Sequence, residues 1–150
     1  MVMRRYGAYT VIEYPSGYPR LALESLEEME REAEESLRKG EYVQACEKYY
    51  KISEEIVKTL SEYFAPKIME EVSKRVKRGS TPWISPLLNK AVYESILRDG
   101  WRAAVTLHRE GFHDFELTPN DILHEVRKVR AMIGLAKKVL RNMVIQQGPK

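Results

Sequence analysis

The chain has 150 residues, with 25 Lys plus Arg, 22 Asp plus Glu and a formal net charge of +3. Hydrophobic residues make up 43% of it and charged residues 31%, which is enough apolar material for the core of one domain. These values exclude an intrinsically disordered chain, a disulfide-stapled miniprotein and a collagen-like fibre. Abundant Glu, Lys and Arg with few amides are typical of helical proteins from thermophiles.

The small net charge hides an uneven distribution along the chain. Residues 21–65 carry a net charge of −6, whereas residues 66–150 carry +7. The acidic and basic parts are expected to attract each other within the fold or between subunits, and the basic part is a candidate for contact with nucleic acid. Ordinary solvated helix faces are the alternative interpretation.

Nothing in the sequence indicates a membrane span or a signal peptide. No stretch reaches the roughly 18 apolar residues that a spanning helix needs, and the start Met1-Val2-Met3-Arg4-Arg5 is not followed by an apolar run. We therefore expect a cytoplasmic protein without membrane contact. The single Cys46 lies among apolar residues and is predicted to be a buried structural thiol.

The first half of the chain is predicted to be an arm followed by a helical hairpin. Residues 1–19 read as an extended arm with a short strand at Tyr9–Glu13. Apolar residues at steps of three and four predict a helix over residues 20–39 that ends at Gly40. A second helix over Glu41–Phe64 follows antiparallel to the first, because the link is short. Two seven-residue seams run along it, formed by Tyr42, Tyr49, Ile56, Tyr63 and by Cys46, Ser53, Leu60.

Proline then divides the middle of the chain. Pro66 is predicted to break the second helix, and a short basic helix follows over Lys67–Arg78. The turn Ser80–Pro86 contains two hydroxyl-proline pairs that favour a helix start. We predict that helix over Leu87–Arg98.

The last third is predicted to be two helical pieces joined by a loop. Asp99-Gly100 is expected to interrupt the helix, and the next helical piece is predicted over Trp101–Glu110. Gly111–Leu117 is predicted to form the loop. Thr118 is the expected cap of a final helix of about six turns. An apolar seam is predicted along that helix, formed by Ile122, Val126, Val129, Ile133, Ala136, Leu140 and Met143. Gly134 in that helix is the expected place for a close approach of another helix.

These elements predict an all-α fold, an antiparallel bundle of about five helices. Its boundaries are an arm at residues 1–19, a single bundle domain at 20–145 and a flexible tail at 146–150. No internal sequence repeat is present, and the period of about 34 residues of tetratricopeptide arrays is missing.

The stretch Trp101–His108 is the main candidate for chemistry. Arg102 and His108 are similar to the loose Arg-(four to six residues)-His pattern of HEPN domains, helical bundles of which many are metal-independent ribonucleases. In such a site the Arg would hold a phosphate while the His moves a proton during attack by the RNA 2′-hydroxyl. Six helical steps place the two side chains about 120° apart, so catalysis would need a second subunit. A histidine that only packs is the alternative interpretation.

Other basic and histidine residues supply weaker candidates. Arg98, Arg102 and Arg109 share a helix face and are candidate nucleic-acid contacts, as are the run Lys74–Arg78 and the basic residues of the last helix. No two of the three histidines, which are His108, His113 and His124, are three or four residues apart. The sequence therefore predicts no metal site and no cofactor.

Two blocks of the chain resemble the archaeal PaREP family of small helical proteins. Residues 40–60 look like the family's Ala-x-Glu-Lys-x-Tyr-x-x-x-Glu-x-x-x-Lys helix, which here runs from Ala45 to Lys58. The other block is Trp101–His108 with the long last helix, and the two cover most of residues 20–143. The resemblance implies a HEPN-like bundle, similar to the substrate-binding partners of nucleotidyltransferases, and dimerisation.

We therefore expect a HEPN-like helical-bundle protein that acts by association, as a homodimer and without catalysis. One alternative is a metal-independent ribonuclease that uses Arg102 and His108 across a dimer interface. Another is the partner of a nucleotidyltransferase or similar small protein. In that case the acidic face of the first helix would dock, through Glu27, Glu28, Glu34 and Glu35.

Overall fold

The computed structural model describes residues 2–6, 9–13, 19–64 and 95–146. The predictions for residues 65–94 lie outside this part of the chain. They include the break at Pro66, the basic helix Lys67–Arg78, the turn Ser80–Pro86 and most of the helix over Leu87–Arg98. The end of the predicted tail, residues 147–150, also lies outside it.

A β-hairpin precedes the helices. Strands β1 (Val2–Tyr6) and β2 (Tyr9–Glu13) pair antiparallel, with Val2 opposite Glu13 and Tyr6 opposite Tyr9. The strand predicted at Tyr9–Glu13 is confirmed, whereas the sequence does not predict its partner β1.

Four helices make up the described part of the bundle. They are α1 (Pro19–Arg38), α2 (Tyr42–Phe64), α3 (Ser95–Thr106) and α4 (Pro119–Gln146), and a π-helical segment, Leu107–His113, continues α3. Helices α2 and α4 each contact the other three described helices. The all-α bundle is confirmed. None of the described helices is long and apolar enough to cross a membrane.

The apolar seams predicted on α2 and α4 face the interior of one chain. On α2, the seam residues Cys46, Tyr49, Ser53, Ile56 and Leu60 are buried. On α4, six of the predicted positions are buried, namely Ile122, Val126, Val129, Ile133, Ala136 and Leu140. Trp101 and Leu107 fill the space between these helices and are almost fully buried. The two seams are therefore used within the monomer.

Hydrogen bonds confirm two of the predicted helix ends, the end of α1 at Gly40 and the start of α4 at Thr118. Gly40 has a φ of +76°, its N–H donates to the Leu37 carbonyl at 3.1 Å, and the Glu41 N–H donates to the Ser36 carbonyl at 2.9 Å. This pattern of bonds ends α1 in a Schellman motif, which favours glycine at its left-handed position. At the start of α4, Thr118 and Asp121 cap each other.

The Thr118 cap is reciprocal. The Asp121 N–H donates to the Thr118 hydroxyl oxygen and the Thr118 N–H donates to the Asp121 carboxylate, both at 3.1 Å. The hydrogen bonds from Thr118 lower the pKa of Asp121 below its ordinary value. Two of the amide groups at the entry to α4 are satisfied in this way.

The prediction of a break at Asp99-Gly100 is wrong, since α3 runs through both residues. A Cβ added to Gly100 would lie 2.5 Å from Met132 Cβ and 3.1 Å from the Lys128 carbonyl oxygen. The glycine is there because the α3 and α4 backbones approach closely, not because the helix ends. Gly134 is predicted to be a second such contact, and that prediction is also wrong. Among the described residues, a Cβ on Gly134 would have no neighbour within 4 Å.

Ion pairs join the acidic α1 to the basic α4. Arg130 donates two hydrogen bonds of 2.8 Å to the two carboxylate oxygens of Glu34, and Lys137 donates one of 2.8 Å to Glu30. The Arg130 hydrogen bonds hold the pKa of Glu34 below its ordinary value. The attraction expected between the two parts of the sequence is therefore present within one chain.

Candidate functional site

A change of helix type at the end of α3 creates the candidate site. The Asp114 N–H donates to the carbonyl of Arg109, five residues back, at 3.0 Å, which is the hydrogen bond of a π-helix. In an α-helix, side chains five residues apart point about 140° away from each other. The wider π-helical turn instead brings His108 and His113 onto one face.

Gly111 lets this segment lie directly against α2. A Cβ added to Gly111 would be 2.5 Å from Cys46 Sγ and 3.2 Å from Cys46 Cβ. Both residues are buried, and burial raises the pKa of the Cys46 thiol to about 11. A thiol that stays protonated at neutral pH is a weak nucleophile. The prediction that Cys46 is buried is confirmed, and its contact with Gly111 places the next residue of α2, Glu47, beside His108.

His108 is held by the Glu47 carboxylate. Its Nδ1 lies 3.1 Å from one carboxylate oxygen and 3.3 Å from the other, and both side chains are partly buried. Because an ionised carboxylate only accepts hydrogen bonds, Nδ1 carries the proton of the neutral ring. This tautomer leaves the lone pair of His108 on Nε2.

The second ring nitrogen of His108 faces His113. The two Nε2 atoms are 3.3 Å apart, and the rings meet edge to face with their centroids 4.5 Å apart. Tyr50 stacks on the His108 ring at a centroid distance of 4.1 Å, and Phe112 lies parallel to it at 6.2 Å. These aromatic contacts fix the plane of the His108 ring, while His113 is exposed to solvent.

A line of polar residues on α2 continues from this cluster into the bundle. The Tyr50 hydroxyl donates to Glu54 at 3.0 Å, and the Lys58 ammonium donates to the other oxygen of Glu54 at 3.1 Å. Lys58 is only 2% exposed, so its charge is paired inside the protein. With Glu47, these residues follow the spacing of three, four and four that marks one face of a helix.

The sequence contains a signal for this face. Glu47, Tyr50, Glu54 and Lys58 are four of the five polar positions of the family-like helix motif, and Lys48 is the fifth. Because these four share one helix face, a paired polar network could be inferred from them. The pairing of His108 with His113 has no such signal, since a spacing of five separates two side chains on an α-helix.

Among the described residues, no hydrogen bond or ion pair joins Arg102 to His108. Arg102 is exposed on α3, whereas His108 turns toward Glu47 and Tyr50. Arg98 and Arg109 are also exposed, and within the described residues the three guanidinium groups form no ion pair. Their roles in catalysis and in nucleic-acid binding stay predictions.

The cluster of Glu47, His108 and His113 has two chemical capacities. It can pass a proton along the row of carboxylate and two imidazoles, because a neutral imidazole donates at one ring nitrogen and accepts at the other. It also offers ligand atoms for a cation, since one atom from each of the three residues lies within 4.8 Å of the others.

The antiparallel helices and the buried polar face of α2 define a small helical-bundle protein. A model of the archaeal PaREP1/PaREP8 family matches residues 21–133, and the chain belongs to this family. The crystal structure of a protein from Sulfolobus solfataricus is similar, with a TM-score of 0.62 and 34% sequence identity over 83% of this chain and 96% of that chain. No protein among the curated ones matches the chain.

Proposed function

We propose that the protein is a HEPN-like bundle that acts by association, as a homodimer, through a surface that includes Phe115. Phe115 is 70% exposed and has a φ of 55°. A left-handed backbone costs a residue with a side chain roughly 1–2 kcal/mol, and an exposed ring gains no burial in the monomer. A second copy that covers the ring would supply this burial.

The distribution of the remaining apolar surface supports a contact at Phe115. Most of the described seam residues of α2 and α4 are buried within the chain, and Tyr42 and Met143 are half-buried. The other exposed large apolar side chains of the described residues are Leu21, Ile96 and Ile145. All three lie on helices with ordinary backbone angles, and single exposed apolar residues of this kind are common. Phe115 combines exposure with a strained backbone.

The placement of the Arg-His pair supports a role without catalysis by one chain. His108 is engaged by Glu47, Tyr50 and His113, whereas Arg102 is exposed to solvent on α3. In the HEPN ribonucleases that the Arg-His spacing resembles, a polar residue usually follows the motif Arg. Here that residue is Ala103, which is 2% exposed and belongs to the core.

Light scattering on the purified protein tests association. We expect twice the monomer mass of 17.5 kDa at micromolar concentration, and the monomer mass for Phe115→Ser. Ile145→Ser is the matched control, because Ile145 is 74% exposed but lies on α4, and it should stay dimeric. A monomeric wild type, or equal loss in both variants, contradicts the proposal. Circular dichroism checks that each variant is folded.

A ribonuclease is the second candidate, and the contact of Glu47 with His108 favours it. A carboxylate on Nδ1 orients an imidazole for proton transfer at Nε2, and Arg98, Arg102 and Arg109 are exposed for phosphate contacts. This candidate predicts that the wild type cleaves RNA in the presence of a chelator. Both Arg102→Ala and His108→Ala should abolish this cleavage. Cleavage that survives in either folded variant would exclude it.

Docking of a nucleotidyltransferase on α1 receives less support. Of the four glutamates of the predicted docking face, Glu34 binds Arg130, Glu28 binds Arg31 at 2.5 Å, and Glu35 binds Arg38. Much of the negative charge of this face is neutralised within the chain, so a cationic partner would compete with these pairs.

A further inference from the structure

We infer that His108 and His113 are the two protein ligands of a divalent transition-metal site that takes Zn²⁺, with Glu47 as the carboxylate that orients His108. This inference goes beyond the proposed association and does not depend on it. It is carried by three features of the described residues: the separation of the ring nitrogens, the tautomer of His108, and the exposure of His113.

The separation of the two Nε2 atoms fits one shared ion. Zn²⁺ binds histidine nitrogen at about 2.0–2.1 Å and prefers tetrahedral geometry, which puts two such nitrogens about 3.3 Å apart. The observed distance between His108 Nε2 and His113 Nε2 is 3.3 Å. The observed separation therefore matches that of two nitrogens that bind one tetrahedral ion.

The Glu47 contact makes His108 a ready ligand. Histidines that bind a metal through one nitrogen usually donate the other N–H to a carboxylate or carbonyl, which fixes the tautomer and raises the basicity of the ligand atom. Glu47 does this at Nδ1, at 3.1 Å, and Tyr50 holds the ring by stacking at 4.1 Å. His108 thus has its free lone pair on Nε2, the atom that faces His113.

The site is accessible, and its donors select the class of ion. His113 is exposed and the His108 side chain is 30% exposed, so an ion can enter from solvent and keep water in its remaining positions. Imidazole ligands suit Zn²⁺, Cu²⁺, Ni²⁺ and Co²⁺, whereas Mg²⁺ and Ca²⁺ require oxygen ligands. We therefore expect no binding of Mg²⁺ at this site.

Calorimetric titration of the metal-free protein with zinc chloride tests the inference. The expected result is one Zn²⁺ per chain for the wild type, with no heat from magnesium chloride. His113→Ala should lose the binding, and it should fold because His113 is exposed. His124→Ala is the matched control, since His124 is an exposed histidine of α4 outside the cluster, and it should bind as the wild type does.

Glu47→Gln separates an orienting carboxylate from a direct ligand. Loss of a carboxylate that acts through a histidine weakens metal binding by roughly 10-fold to 100-fold, and we expect a decrease in this range with the stoichiometry unchanged. Complete loss of binding in Glu47→Gln would overturn the orienting role. Equal zinc affinity in the wild type and His113→Ala, or one Zn²⁺ per two chains, would overturn the site itself.

Discussion

The contact between α3 and α4 at Gly100 allows a strict test of the fold, because Gly134 provides a matched control in α4. The perturbation is one methyl group added at each position. In Gly100→Ala the new Cβ would lie 2.5 Å from Met132 Cβ and 3.1 Å from the Lys128 carbonyl oxygen. In Gly134→Ala it would meet nothing within 4 Å.

The two substitutions are expected to change stability in opposite directions. Overpacking of a core costs about 1–3 kcal/mol, and the upper end applies at Gly100 because Met132 Cβ and the Lys128 carbonyl are fixed to the α4 backbone. Alanine returns about 1 kcal/mol of helix propensity, which leaves a net loss of about 2 kcal/mol. At Gly134 only the propensity acts, so the free energy of unfolding should rise by about 0.5–1 kcal/mol.

Equilibrium unfolding in guanidinium chloride, followed by circular dichroism, measures both effects. At a common slope, the difference between the two variants should be about 3 kcal/mol, read from their midpoints. The close contact of α3 and α4 at Gly100 is refuted if Gly100→Ala unfolds at the midpoint of the wild type, or if Gly134→Ala is destabilised to the same extent as Gly100→Ala.

Equilibrium unfolding also tests the packing at Gly111, the cap at Thr118 and the ion pair of Arg130. Gly111→Ala should lose about 1–3 kcal/mol, because its Cβ meets Cys46 Sγ at 2.5 Å, and Cys46→Ala in the same chain should restore part of the loss. Thr118→Ala removes the cap of α4 and should cost about 1 kcal/mol, and no change would contradict the capping role. Arg130→Met removes the partner of Glu34, whose pKa is lowered in the folded protein. The pair therefore stabilises the fold above the ordinary pKa of 4.5, and this contribution is lost as the pH falls through the folded pKa. Both side chains are about 40% exposed, so the pair contributes at most about 1 kcal/mol to the free energy of unfolding. The urea midpoints of the wild type and the variant should therefore converge in acid, and a difference that persists in acid would contradict this role of the pair.

The bundle itself is predictable from the sequence because local rules agree with the tertiary packing. The apolar steps of three and four predict α1, α2 and α4 to within about two residues. Gly40 and Thr118 mark helix ends, and both do so through the expected hydrogen bonds. In these places one residue type satisfies one backbone requirement.

The glycines of the second half show where sequence reasoning is insufficient. A glycine within a helical pattern can end the helix or admit a neighbouring backbone, and the choice depends on a residue far along the chain. Gly100 admits Met132 and Gly111 admits Cys46, whereas Gly134 admits nothing. Tertiary contact therefore decides a question that the local pattern leaves open.

The histidine pair of the candidate site could not be predicted from the sequence for a related reason. The sequence predicts a loop over Gly111–Leu117, which contains His113, whereas the π-helical segment extends to His113 and brings it to His108. π-Helical turns are frequent at functional sites, but no residue type marks them in a sequence. The polar face of α2 that supports His108 through Glu47 can be read from the sequence as a motif. The π-helical segment that it contacts cannot.

Anomalous diffraction at the zinc edge tests directly whether the π-helical segment builds a metal-binding histidine pair. In crystals grown with zinc chloride, we expect one peak about 2.0–2.1 Å from His108 Nε2 and from His113 Nε2. Glu47 should remain on Nδ1 of His108, as it is at 3.1 Å now. No peak between the two rings, or a peak bound by other residues alone, would contradict the account.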